Sequence, residues 1–339
     1  MNSRELAKLL GVSQATVSRA LNGSALVTDE TKERVLRKAA EFGFELNSHA
    51  RSLKTNKTGT IGVLFSKYFQ GMTGTPMLAH LYDSLQRELI KYDYDVMIVY
   101  DYDTDGGSVF ERVIRKRKVD GLITVRAVLS EHETNLIKNL NFPCVPMLMA
   151  RQKNEAPYSS YSDIEYGGRL VGRFYGTFSE YDVVYVGFEG EEMENSRRIR
   201  GLRKGLHEHG RVLSEKNVHS CLMTFDSGYE TALKLLSTMK KRKLAIFAYN
   251  DIIALGMLNA FREADIDVPE QVQLIGLDDI PLSTWIRPHL STLHVAIEEM
   301  VPNGCKLLRD MIEGRDITGY KTSYKPRLVH RDTTMPVKG

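Results

Sequence analysis

The stretch Gly11-Val12-Ser13-Gln14-Ala15-Thr16-Val17-Ser18-Arg19-Ala20-Leu21-Asn22 leaves less room for a second reading than any other part of the chain. Ala7, Gly11 and Val17 stand where two short helices crossing at a tight turn need them. The small residue permits close approach, the glycine relieves the turn and the valine plugs the crossing. Ser13 is placed to cap the second helix through its hydroxyl. Val17, Ala20 and Leu21 share one face of that helix, and Gln14, Ala15, Ser18, Arg19 and Asn22 point the other way. The outward set offers donors and contains no carboxylate, which suits base edges and a phosphate backbone. A first helix is expected over Ser3–Leu10, with Leu6, Ala7 and Leu10 inward and Asn2 and Glu5 forming a capping box. A third helix is expected from Thr28, with Asp29 and Glu30 at its positive end. Val35, Leu36, Ala39 and Phe42 would form its apolar face, and Gly43 would end it.

Charge divides the chain at the same place. Residues 1–59 carry ten Lys/Arg and six Asp/Glu, whereas the remaining 280 residues carry 36 and 37. A basic head on a near-neutral body fits polyanion binding by the head, though an ordinary solvated terminal domain can carry the same excess. At 339 residues and 42% hydrophobic content, the chain is expected to bury more than one core. No apolar run approaches the ~20 residues of a membrane helix. The first residues lack the regions of a signal peptide, so a cytoplasmic location is expected. Cys144, Cys221 and Cys305 are odd in number and contain no CxxC, so neither disulfides nor a structural zinc is expected.

From Thr60 onward, apolar runs alternate with amphipathic stretches. Strands are expected over Ile61–Phe65, Val96–Tyr100, Gly121–Val125, Cys144–Met149, Val183–Gly187, His219–Met223, Leu244–Tyr249 and Gln273–Leu277. Helical patterns occupy Leu78–Tyr92, Glu131–Leu140, Gly167–Phe178, Ile199–His209, Tyr229–Lys240, Ile253–Ala264 and Glu298–Glu313. Such alternation predicts parallel sheets covered by helices on both faces, as one overlarge sheet or two smaller lobes. No nucleophile elbow, phosphate loop or zinc-protease motif is present, and His207 and His209 diverge on their helix. Neither a cofactor nor a metal is expected.

Several motifs in register carry a family resemblance. Val12-Ser13-x-x-Thr16-Val17-Ser18-Arg19-x-Leu21-Asn22-Gly23, then Thr31-x-x-Arg34-Val35, Asn47-x-x-Ala50-Arg51-Ser52-Leu53 and Thr58-Gly59-Thr60-Ile61-Gly62-Val63, together resemble the lactose/galactose-repressor (LacI/GalR) family of bacterial transcription regulators. The resemblance implies an all-α helix-turn-helix head over 1–45 and a hinge helix or linker over 46–58. An α/β, two-lobed, periplasmic-binding-protein-like domain for effector binding and dimerisation would occupy 59–339. Its lobes would comprise approximately 59–160 plus 293–323, and 161–292 plus 324–332. On DNA, Gln14, Ala15 and Arg19 would read bases, while Ser13, Thr16, Ser18 and Asn22 would mostly position the backbone. Residues 46–58 alone have the composition of a polar linker. In the family this segment is a hinge in the minor groove, with Leu53 as a wedge between base pairs and Asn47, Ala50, Arg51 and Lys54 beside it.

The resemblance also places effector contacts at Arg198, Asn250 and Asp278, with Asp163 as a fourth. Trp285 would stack on a sugar face or belong to the core, and Arg126 with Arg198 would lean towards an anionic phosphosugar. The neighbours Asp251 and Asp279 are expected as helix caps and Arg200 as surface charge. The chain departs from the family pattern at Ile164, where Asn is usual, at Ala150, where Asp is common, and in residues 66–77 after the first strand. The expected function is an effector-controlled transcriptional regulator, most simply a repressor. It would act as a homodimer on a pseudo-palindromic double-stranded operator, with half-sites ~10 bp apart. The chain ends without the leucine repeat of family tetramers. A sugar or phosphosugar is the expected effector, and a nucleoside or nucleobase the alternative. A sugar-metabolising enzyme with a helical head and a constitutive architectural DNA binder are the rival readings.

Overall fold

Asn2 starts the first helix in the manner its sequence requires. Its Oδ1 accepts from the backbone N–H groups of Arg4 and Glu5, each at 3.0 Å, and the Glu5 carboxylate accepts from Asn2 N at 2.9 Å. This reciprocal capping box satisfies donors that a helix start leaves open. The resulting computed structural model describes residues 2–21, 24–44, 57–66, 75–101, 108–125, 129–148, 159–190, 192–239 and 242–336. Asn22, Asn47, Ala50, Arg51, Leu53, Lys54, Arg126 and Ala150 lie outside the described residues, as does most of the departure at 66–77. The chain divides into two units, Met1–Gly59 with Arg117–Val119, and Thr60–Lys116 with Asp120–Gly339.

In the first unit, α1 (Ser3–Leu10) ends at Gly11, whose φ of 66° is the left-handed conformation that only glycine adopts cheaply. The Ser13 hydroxyl accepts from Thr16 N at 3.0 Å and starts α2 (Gln14–Leu21). α3 (Asp29–Glu41) follows Thr28 and places Asp29 and Glu30 in its first turn. Leu6, Ala7, Val17, Ala20, Val27, Val35 and Ala39 form the core of this head. Arg34 ties α3 to α1 by donating to the Leu10 carbonyl at 3.2 Å. The expected apolar face of α3 is only half right: Leu36 and Phe42 are 50% and 45% exposed. Val27, in the preceding loop, closes the core instead.

The second unit carries two six-stranded sheets. The first has the order β11-β5-β4-β3-β1-β2 and the second β12-β10-β9-β8-β6-β7. Here β1 is Thr60–Ser66, β2 Asp95–Asp101, β3 Gly121–Val125, β4 Cys144–Leu148, β5 Ser160–Ser162 and β6 Tyr181–Phe188. The others are β7 Val218–Cys221, β8 Lys243–Ala248, β9 Val272–Asp278, β10 Ser291–His294, β11 Ser323–Tyr324 and β12 Arg327–Val329. Neighbours run parallel throughout, except that β12 runs antiparallel to β10. β3 and β4 are buried at every residue, as apolar strands covered on both faces must be.

The helices are α4 (Pro76–Leu89), α5 (Val109–Arg115), α6 (Glu131–Leu140), α7 (Ile164–Gly176), α8 (Glu192–His207), α9 (Phe225–Met239), α10 (Asp251–Glu263) and α11 (Ile297–Ile312). The chain passes from one sheet to the other after β5, after β10 and after β11, so the two lobes share three crossovers. Every strand expected from an apolar run is present. α5 and the short strands β5, β10, β11 and β12 were not expected.

The helices α7 and α8 approach unusually closely. A Cβ on Gly201 would lie 1.9 Å from the Glu165 carbonyl, and one on Gly168 would lie 2.4 Å from the Arg198 carbonyl. The bare backbones therefore fix the height and rotation of α8 against α7, and with it the face that α8 turns to the second sheet.

Candidate functional site

The buried residues of α8 are Glu194, Arg198, Gly201, Leu202, Gly205 and Leu206, a single stripe at helical spacing. The glycines and leucines of that stripe pack, and its first two members face a cavity. The cavity lies at the carboxyl ends of strands from both sheets. Leu148 at the end of β4 and Ser162 at the end of β5 meet Phe188, Tyr249, Asn250 and Asp278 from the ends of β6, β8 and β9. Its free volume is about 60 Å³. At about 10–15 Å³ per water this corresponds to a handful of waters, a monosaccharide scale. Open α/β sheets bind ligands at such strand ends.

The guanidinium of Arg198 lies over the Tyr249 ring, with Cζ 3.6 Å from the centroid. Phe188 backs Tyr249 edge-on, with centroids 5.5 Å apart. Arg198 is 5% exposed, yet its Nε and Nη1 have no hydrogen-bond partner. Burial works against its charge, but Tyr249, Tyr185 and Glu194 outweigh it and keep Arg198 firmly cationic. Glu194, one turn earlier and 3% exposed, makes no hydrogen bond or ion pair among the described residues. Burial pushes its carboxyl upward, against the pull of Arg198 and Arg197. The Ser162 hydroxyl is likewise buried without a partner. Buried polar groups are normally satisfied, and each one left open costs ~1–3 kcal/mol. Two such residues in one cavity wall, Arg198 and Ser162, mark a place where a ligand supplies the missing bonds.

Asn250 caps α10, its Oδ1 accepting from Ile253 N at 3.0 Å, while the residue borders the cavity. Asp278 holds a φ of 119° and Asp279 a φ of 57°, both left-handed and neither glycine. Strain of this kind gathers at functional sites. Burial raises the Asp278 carboxyl well above the usual range, with the Asp251 charge adding and Arg198 opposing.

The two neighbours expected as helix caps do other work. Asp251 is fully buried. It accepts from Thr292 Oγ1 at 2.5 Å, Ser283 Oγ at 2.7 Å and Ile280 N at 3.0 Å. It thus pins α10 to the β9–β10 connection, and burial pushes its carboxyl up to about 7 despite these bonds. Asp279 pairs with Arg331 and with His294 Nδ1, 2.9 Å away, and the other His294 nitrogen lies 2.8 Å from Glu298. Arg200 is a surface cation paired with Glu165 at 2.9 Å.

Of the six residues expected at an effector site, Arg198, Asn250 and Asp278 line this one cavity. Asp163 does not: it caps α7 by accepting from Tyr166 N at 3.0 Å, and its neighbours Ser162 and Ile164 reach the cavity. Trp285 is 73% exposed at the end of a 3-10 turn and is neither core nor cavity wall. Arg126 falls outside the described residues. Glu194 was missed, although its four-residue step to Arg198 in the glycine-bearing stripe is a readable signal.

In the head, Gln14, Ala15 and Arg19 are exposed, and Thr16 and Ser18 are half-buried. Gln14 is held from both ends, donating to Ser3 Oγ at 2.8 Å and accepting from Arg4 Nε at 3.4 Å. The hydroxyls of Ser13 and Thr16 are 2.8 Å apart.

A helix-turn-helix head joined to a two-sheet α/β body with a cavity at the strand ends defines a DNA-binding regulator controlled through a ligand domain. Residues 4–47 match the family model of bacterial regulatory proteins, lacI family, and residues 181–334 match the periplasmic binding protein-like domain. The chain belongs to the LacI family of transcriptional regulators. It is 25% identical over 336 residues to the HTH-type transcriptional repressor PurR of Vibrio parahaemolyticus, covering 97% of each chain. The lac repressor dimer bound to operator and the anti-inducer ONPF has the same fold, with a TM-score of 0.82 at 20% identity over 99% of each chain. The transcriptional regulator CelR in complex with cellobiose matches with a TM-score of 0.72 at 22% identity, over 98% of this chain and 99% of that one.

Proposed function

We propose that this regulator is a repressor that acts as a homodimer on a pseudo-palindromic operator, and that its effector is a small polyhydroxylated molecule held in the cavity between the lobes. The observation that carries the effector reading is the buried Arg198, with two unpaired N–H donors beside Asn250 and Asp278. A guanidinium, an amide and a carboxylate give adjacent hydroxyls both donors and acceptors. The sugar in the CelR complex supports this class. The Tyr249 face towards Arg198 is covered by the guanidinium and is closed to a stacking nucleobase.

Gln14, Ala15 and Arg19 are the base readers of this proposal. Ser13, Thr16, Ser18 and Asn22 position the head on phosphates, and Leu53, with Asn47, Ala50 and Arg51, acts at the centre of the site. Gln14 must leave Ser3 and Arg4 to read a base, so it exchanges bonds rather than gaining them. Control follows from differential affinity: a ligand that closes the cavity more favourably in one lobe arrangement shifts the population towards it. No enzymatic step is assigned, and the chain is taken to work in the cytoplasm.

The test is binding of the full chain to duplexes selected by that chain from a random-sequence pool. The selected sites are expected to contain two inverted half-sites with centres about 10 bp apart. Recovery of asymmetric single sites would overturn the homodimer reading, and recovery of no preferred sequence would overturn the assignment of the base readers.

A further inference from the structure

Arg198 accounts for only part of the chemistry open in the cavity. Glu194 projects from the same face of α8, one turn away, and is as deeply buried. The two are not hydrogen-bonded through the Arg198 Nε or Nη1, which have no partner among the described residues. Arg198 lies over the Tyr249 ring, and Glu194 lines the same cavity one turn away. Among the described residues, three ionisable side chains line the cavity: Arg198, Glu194 and Asp278. Most of the remaining wall is apolar, from Met77, Leu148, Ile164, Phe188, Met223 and Leu277. A cationic ligand group beside the two acids stabilises the ionised form that burial alone disfavours.

We infer that the effector is an amino sugar, a monosaccharide whose ammonium group is recognised by the buried Glu194 while Arg198 and Asn250 hold its hydroxyls. The inference rests on the sugar-effector reading above and deepens it. The groups that act on Glu194 are Arg198 and Arg197 on its own helix and Tyr185 of β6, and Tyr249 and Asp278 line the same cavity. In the empty cavity burial holds Glu194 towards its neutral form. An ammonium beside it favours the carboxylate, so whatever proton burial holds on the carboxyl passes to solvent as the ligand enters. The ligand keeps all its own protons, and no bond of the sugar is made or broken.

Three matched pairs isolate the amine: glucose with glucosamine, galactose with galactosamine, and mannose with mannosamine. Each pair differs by one hydroxyl replaced by an ammonium. Titration calorimetry and thermal shift on the full chain at pH 6 are expected to show one hexosamine binding about tenfold or more tighter than its hexose. Calorimetry in two buffers of different ionisation enthalpy is expected to show net proton release with that hexosamine and none with its hexose. In the near-isosteric Glu194→Gln protein, the hexosamine advantage is expected to fall to within about twofold and the proton release to vanish. The wild-type comparison and its proton count stand whether or not the variant folds. A hexose that binds the wild-type chain as tightly as its hexosamine would overturn the amine while leaving the sugar reading intact. Absence of heat and thermal shift with all six sugars would overturn both.

Discussion

On α2, Gln14, Ala15 and Arg19 lie exposed to water, and Gln14 is held by Ser3 and Arg4 of the same head. In the body, Arg198 and Ser162 are buried with polar atoms left open. The two surfaces meet their partners by different physics. A DNA-facing helix keeps its polar groups solvated or locally bonded until the duplex arrives, so its readiness costs little stability. Affinity then comes from exchanging those bonds and releasing counterions. A closed ligand cavity cannot rely on water in this way. It keeps unsatisfied groups at a cost to the free protein, which the ligand relieves on binding. Mutation should therefore separate the two: cavity changes lose ligand without lowering stability, and head changes lose DNA affinity by modest steps.

The largest effect is expected at Arg198. Arg198→Met keeps much of the side-chain volume and removes the two unpaired donors. Ligand affinity should fall by about a hundredfold or more, since hydrogen bonds to charged groups contribute about 1.5–3 kcal/mol each. The ligand-free melting temperature should change little, because the cost of the unsatisfied Nε and Nη1 is removed together with the contact to Tyr249. A large drop in ligand-free stability would break the contrast, making Arg198 a structural residue like Asp251. Next comes Gly201→Ala, whose Cβ would collide with the Glu165 carbonyl. Separating α7 from α8 should cost about 3 kcal/mol in urea unfolding and displace Arg198 as well. Unchanged stability would mean that the helices do not meet as closely as described.

On the DNA side, Arg19→Ala should weaken binding to the selected duplex by about 1–3 kcal/mol and relax preference at one base pair of each half-site. Anisotropy titrations over a panel of single-base variants measure both. A uniform loss across all sequences would move Arg19 from base reader to phosphate contact. The smallest effect belongs to the cap: Asn2→Ala should destabilise the head by about 1 kcal/mol, read by helical circular dichroism on thermal melting. No detectable shift would mean that the capping box is not formed in solution.

Much of this contrast was legible because the signals were local. The cap at Asn2 and Glu5, the turn at Gly11 and the apolar strands such as β3 and β4 announce themselves within a few residues. β5, β10, β11 and β12 have four residues or fewer, too short for any alternation to register. Leu36 and Phe42 fit a helical face, but Val27 reaches the head core from a loop that no periodicity describes. In the cavity, Arg198, Asn250 and Asp278 came from motif position. Glu194 escaped notice because the charged start of α8 reads as a solvated surface, and its burial is imposed by packing against distant elements. Trp285 and Asp163 show the converse: a residue type suited to sugar binding says nothing of where its side chain points.

In the proposed mechanism, occupancy of the cavity sets the affinity of the head for DNA. The most direct test titrates the full chain against its selected duplex by fluorescence anisotropy, without sugar and with a saturating amount of whichever hexose or hexosamine most raises its melting temperature. The account predicts that the Kd for DNA moves by about tenfold or more, the usual size of an allosteric coupling. A Kd that stays the same while that sugar clearly stabilises the protein would contradict it.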